Sequence, residues 1–363
     1  MIDPEKRYLL ARPRGGFNDS LVQLDIVMRY AEKWGRVLVL DMSRSGLQCA
    51  FDDVFSVRES FGCEVVVWNP DIGKELDTLK SVLPEPLAGR TSSYPSEFRM
   101  DSRPFVDTQT GVILTFDRDV DHPERLLLHD QAGGGMAGIR ALRHLTFAPD
   151  IANAVAKRLI TLGPDYDAIH IRHSDYKSDY QTLLGRAASL FAGRRLLVCT
   201  DSALVKAKAE AYLKGKVDVV SIADIPDTGG VPLHLSEDID RAAANIDLFA
   251  EIVAMARAKR FVFTQLAKDG HLGWPFSGFA LLAEALRADP ETVKGLFAKT
   301  DRNLYEELFA AQNERATRGT LKQAVTRRLA ALDEYRWNYD ARKRARRIRG
   351  WVRKGFLSRQ REG

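Results

Sequence analysis

The chain has 363 residues, 45 % of them hydrophobic, with 54 Lys and Arg against 49 Asp and Glu and three cysteines. At roughly 150 residues per domain the length suggests two domains with some residues left over, and the composition excludes collagen-like, disordered and disulfide-stapled classes. The three cysteines (Cys49, Cys63, Cys199) match no zinc spacing, no apolar run approaches the ~18 residues of a membrane span, and the charged N-terminus lacks the apolar stretch of a signal peptide. A reduced, cytoplasmic protein is the expectation.

In chain order, Arg7–Arg12 is a short apolar run, and the Pro and Gly of RPRGGFND punctuate it. Ser20 is placed to cap a helix whose apolar positions Leu21, Leu24, Val27 and Ala31 recur at helical spacing until Gly35. Arg36–Asp41 is apolar on both faces, as a strand of a parallel sheet is, so the opening reads as a βαβ unit. Weak strands follow near Val65–Trp68 and Val112–Phe116. Pro84–Arg103, rich in Pro, Ser and Arg, reads as surface loop, and Leu126–His129 leads into GGGMAG.

From Asp150 the alternation is regular. Helices over 151–162, 180–192, 202–213 and 242–258 alternate with strands over 167–172, 195–200, 217–222 and 260–264. That pattern predicts a second, doubly wound parallel sheet, whose ligands belong at the carboxyl ends of its strands.

The residues at those ends are therefore the candidates. His170 and Arg172 share one side of their strand and close it. A guanidinium there offers a permanently charged planar fork to phosphate oxygens. Thr200 and Asp201 end the next strand and Thr264 the last. Gly15 and Gly16 join the first strand to the first helix, where bare backbone and a helix N-terminus suit an anion, although a tight turn needs the same residues. Two further motifs have plainer explanations. Asp117 and Asp119 form a DxD that holds a divalent ion in many transferases, but two acids in a charged loop are commonplace. Gly133, Gly135 and Gly138 fit a dinucleotide fingerprint, but no acid-ended second strand accompanies them, so a glycine loop is the preferred reading.

Several of these segments together resemble one family. RGGFNDSLVQLDIVMRYAEKWGRVLVLD, LRHLTFAPDIANAV, HIRHSDYKSDY, LLVCTDS and NIDLFAEIVAMARAKRFVFT occur in the order found in the fucosyltransferase superfamily that includes the rhizobial nodulation α1,6-fucosyltransferase and the protein O-fucosyltransferases. The resemblance covers about residues 8–41 and 142–287. It implies an α/β, GT-B-like fold with two Rossmann-type domains: 1–148 on the acceptor side, 149–300 for the nucleotide sugar, and a helical extension over 301–363 ending in the basic tail. It also implies GDP-fucose as donor, inversion at the anomeric carbon, and no metal or other cofactor.

Carried over by position, Arg172 would grip the β-phosphate. His170 would lie along the nucleotide, and Gly15, Gly16 and Asn18 would close on the diphosphate. An acid on the long helix would accept from guanine, Glu251 being preferred to Asp247. Asp201 and Thr264 end the flanking strands. The family's Ser-rich loop is missing after Thr264, and Ser277 and Gly278 are its displaced counterpart. Asp175 and Asp179 are the candidates for the base, which the sequence leaves open.

Arg336–Gly363 holds eleven basic residues and two acids (Asp340, Glu362), so a weakly acidic body carries a basic tail. With Trp351 and Phe356 interspersed, the tail suits peripheral attachment at the inner face of a membrane, or a protein partner, more than nucleic acid. The reading is thus an enzyme acting on a glycan acceptor, in polysaccharide biosynthesis. Alternatives are a GT-B transferase for another nucleotide sugar and an inactive glycan- or partner-binding protein of the same fold.

Overall fold

The structure, a computed structural model, describes residues 2–3, 5–99, 104–133, 138–175, 177–229, 231–236, 239–266 and 276–317. Gly135 and the basic tail, with the roles expected of them, lie outside these residues.

The first unit comprises residues 1–152, 240–245 and 291–300. It opens with β1 (Tyr8–Ala11), α1 (Phe17–Trp34) and β2 (Val37–Leu40), and continues through α2 (Phe51–Val54), β3 (Phe55–Val57), β4 (Val65–Val67), α3 (Pro70–Leu76) and β5 (Val82–Leu83). A hairpin of β6 (Ser96–Phe98) and β7 (Phe105–Asp107) precedes β8 (Leu126–His129), α4 (Gly138–Leu142) and β9 (Leu145–Phe147). The main sheet runs β4-β2-β1-β8-β5 and is parallel throughout. Tyr8, Leu10, Val37, Val39, Leu126 and Leu128 form one inner face. Burying each such side chain contributes about 1.5–3 kcal/mol.

Several expectations change here. α1 begins at Phe17 with Gly16 as its cap, and Ser20 lies within the helix. Phe17 and Asn18 are buried, so packing draws the helix start back past the better capping residue. Residues 112–116 form no strand, only an isolated bridge from Ile113 to Val106. Pro84–Arg103 is not a surface loop where it is described, since Leu87, Thr91 and Tyr94 are buried. The glycine loop serves packing at Gly138, where a Cβ would lie 2.7 Å from the Asn18 side-chain oxygen on α1.

The second unit comprises residues 153–239, 246–290 and 301 onward, so the chain returns twice to the first unit, and the start of the extension groups with the second. After α5 (Pro149–Leu162) come β10 (Asp167–Ile171), α6 (Tyr180–Leu190), β11 (Arg195–Thr200), α7 (Ala203–Leu213), β12 (Asp218–Val220), α8 (Arg241–Arg257), β13 (Phe261–Phe263) and α9 (Gly278–Arg287). Next are α10 (Pro290–Leu296), mostly in the first unit, and α11 (Arg302–Thr317). The sheet order is β12-β11-β10-β13, all parallel. Ile169, Ile171, Leu196 and Val198 pack on α6 and α7. Alternation sends His170 and Cys199 to the other face, towards α8 and α9. No described helix is long and apolar enough to cross a membrane.

Candidate active site

In the second sheet the strand order reverses between β10 and β13, the switch point at which open α/β sheets receive ligands. Arg172 follows β10 at this point. Its Nε lies 3.0 Å from Asp201 Oδ2, and its Nη2 lies 2.7 and 2.8 Å from the two oxygens of Asp175. Asp201 also accepts from the backbone N–H groups of His173 (2.8 Å) and Ser174 (3.3 Å) and from the Ser174 hydroxyl. Burial pushes the Asp201 carboxyl up, but the Arg172 charge and these hydrogen bonds outweigh it and hold it below the usual range. Asp201 therefore fixes the 172–174 turn from the neighbouring strand. Thr264 ties the other side: its Oγ1 accepts from Arg172 N (3.2 Å), and its own N–H donates to the His170 carbonyl (3.0 Å).

His170 is buried, and burial lowers its pKa to about 4, so the ring is neutral at pH 7. Among the described residues its Nδ1 has no hydrogen-bond partner. Its ring lies 5.6 Å from that of Phe279, in the first turn of α9. Ser277 caps that helix without a side-chain cap bond, and Gly278 is its first residue. The structure thus brings His170, Arg172, Asp175, Asp201, Thr264, Ser277 and Gly278 to one edge of the sheet.

The two acids of α8 differ. Asp247 pairs with Arg158, which also reaches the Ile222 carbonyl. Glu251 hydrogen-bonds with the Cys199 thiol. Though part of the residue reaches solvent, burial of the carboxyl pushes its pKa up to about 8 against the opposing charge of Lys206. Of the two base candidates, Asp175 is paired with Arg172. Asp179 is the N-cap of α6, its carboxylate accepting from Thr182 N (3.2 Å) and Oγ1 (2.6 Å), which holds its pKa down.

In the first unit, Gly15 has φ +88° and bridges to Ser45, and a Cβ there would meet the Asp19 Cβ at 3.1 Å, so the turn needs glycine. Among the described residues nothing lies within 4 Å of a Cβ placed at Gly16. Asn18 is buried at the contact of α1 with α4. Asp117 accepts from Asp119 N at 2.9 Å, a local turn, and no group of three metal-ligating side chains occurs among the described residues. Sequence reasoning missed Ser174, Lys206 and Cys199. It also missed Asp41 and Asp130, although the rule of inspecting strand ends applies to them as well.

Fold and site together define a doubly wound α/β protein with two parallel sheets and a polar, arginine-centred edge on the second. The chain is similar in structure to the fucosyltransferase NodZ from Bradyrhizobium (18 % identity, 77 % of this chain and 93 % of that one, TM-score 0.47). It is also similar to NodZ α-1,6-fucosyltransferase co-crystallized with GDP (20 %, 77 % and 92 %, 0.45) and to POFUT1 in complex with GDP-fucose (14 %, 78 % and 95 %, 0.45). No family model and no curated protein matches the sequence.

Proposed function

We propose that the chain is a GT-B-type glycosyltransferase that moves fucose from GDP-fucose to a hydroxyl of a glycan, with inversion and without a metal. The observation that carries this is Arg172 at the switch point, held from behind by Asp201 and from the backbone by Thr264. When the bond from the anomeric carbon to the diphosphate oxygen breaks, negative charge grows on the departing GDP. A preoriented guanidinium compensates it without reorganisation. His170, neutral and with an Nδ1 that is unpartnered among the described residues, offers a polar contact beside the nucleotide. The start of α9 at Ser277 and Gly278 directs backbone N–H groups to phosphate.

On α8, Glu251 is the base-reading acid, because Asp247 is engaged by Arg158. Asp175 accepts the acceptor hydroxyl's proton. The incoming diphosphate competes with Asp175 for Arg172 and frees its carboxylate for that task. The basic tail attaches the enzyme to an anionic membrane surface.

Arg172→Ala tests the reading. Transfer should fall by two to three orders of magnitude with the fold intact, as removal of one preorganised charge contact does; near-normal turnover overturns it. Thermal unfolding with GDP, UDP, CMP and NAD, each with and without EDTA, tests the donor. A ligand at ~100 times its dissociation constant adds about 2.7 kcal/mol, so GDP alone should raise the midpoint by a few degrees, regardless of chelator.

A further inference from the structure

The first sheet has its own switch point, between β1 and β8. Arg12 and Arg14 follow β1, Asp41 and Arg44 follow β2, and Asp130 follows β8. Arg12 has a carboxylate to itself, its Nε 2.7 Å from Asp41, and Arg90 likewise pairs with Asp107. Arg14 and Arg44 share one. Arg14 holds both oxygens of Asp130, Arg44 Nη1 lies 2.8 Å from Oδ2, and the Tyr94 hydroxyl donates to the same oxygen at 2.7 Å. Among the described residues neither arginine has a second carboxylate. Asp130 is fully buried, whereas the side chains of Arg14 and Arg44 are 16 % and 27 % exposed, so the surplus positive charge faces outward.

Aromatic rings flank that charge. The guanidinium of Arg44 lies 4.7 Å from the Tyr94 ring centre and that of Arg14 4.3 Å from Phe105. Phe105 pairs in register with Phe98, their rings 5.2 Å apart, and Phe98 is 40 % exposed. Ser96, on the same face of β6 as Phe98, accepts from Arg14 Nη2 at 2.5 Å. Rings suit the apolar face of a pyranose, and guanidinium forks suit a carboxylate or phosphate.

We infer that this edge binds a saccharide bearing an acidic group, with Arg44 and Arg14 taking its anion and Phe98 and Phe105 its ring. The inference rests on the proposed transfer only in making that saccharide the acceptor; the binding itself needs no donor.

The test is an NMR titration of the full chain labelled with 15N-arginine, following side-chain Nε–Hε signals. The probes are glucose, glucuronate and glucose 6-phosphate, with GDP titrated separately. At least one acid should shift the Arg44 and Arg14 signals saturably while glucose leaves them in place. The tighter acid identifies the group as carboxylate or phosphate. Arg44→Gln should weaken that acid at least tenfold, Arg44→Lys should keep part of the binding, and both should bind GDP as the parent does. Acids that act no better than glucose, or unchanged acid binding in Arg44→Gln, overturn the inference. So does loss of GDP affinity in Arg44→Gln, which assigns the pair to the nucleotide. Acid binding without GDP binding overturns the donor reading and leaves this site standing.

Discussion

Glu251 has a testable proton. Its folded pKa of about 8 exceeds the unfolded carboxyl value, so the folded state holds a proton that the unfolded state has lost. The stability this contributes is complete below the unfolded pKa, near 4.5, and is lost as pH rises to about 8. Glu251→Gln should flatten that part of the stability profile measured by urea unfolding. Guanine N–H donors favour the carboxylate, so GDP binding at pH 7 should release a proton, visible as a buffer-dependent heat in calorimetry, and the Gln variant should release none. Asp201→Asn should loosen the 172–174 turn and reduce transfer more than GDP affinity, because it removes the brace on Arg172 and leaves the guanidinium itself in place. Arg172 and Asp201 were legible because strand-end position and chemistry coincide in sequence. Glu251 was preferred to Asp247 only by its position in the resemblance; the contact that engages Asp247 comes from Arg158, 89 residues away in the chain, and leaves no local pattern.

At the scale of elements, two glycines make opposite predictions. Gly138 starts α4 against α1, and a Cβ there would lie 2.7 Å from Asn18 Oδ1 and 3.2 Å from Leu21 Cβ. Gly138→Ala should destabilise by about 1–3 kcal/mol, as overpacking does. Gly185 lies within α6, and among the described residues a Cβ there meets only the Tyr212 hydroxyl, at 3.8 Å. Gly185→Ala should stabilise by about 0.5–1 kcal/mol through helix propensity. Denaturant midpoints at constant m-value check both. The strands of the second sheet were readable because each is a β-branched or apolar run, separated from the next by a segment long enough for a helix. The stretch 84–103 was not, since its buried Leu87, Thr91 and Tyr94 are set among Pro84, Pro86, Gly89 and Pro95, turn residues that read as exposed loop.

At the scale of the molecule, the sequence divides the chain at 148, whereas contacts carry the first unit to Ala152 and add 240–245 and 291–300. Such returns leave no local pattern. They are built into that unit's interior: Thr146 Oγ1 donates to the Leu296 carbonyl at 3.1 Å, Phe297 packs on Phe147 with ring centres 5.5 Å apart, and Asn245 Nδ2 donates to the Leu47 carbonyl at 3.0 Å. A fragment ending at Ala152 should therefore unfold at lower denaturant than the same unit in the full chain, with a broader transition. On the ribosome the same feature becomes a delay. At ~5–20 residues per second, the first unit waits roughly 7–30 s between emergence of Phe147 at the end of β9 and arrival of the segment that closes its core. During that interval it presents Phe147 and its neighbours to whatever chaperone is at the exit tunnel, while the second sheet, whose strands emerge one after another, is completed first.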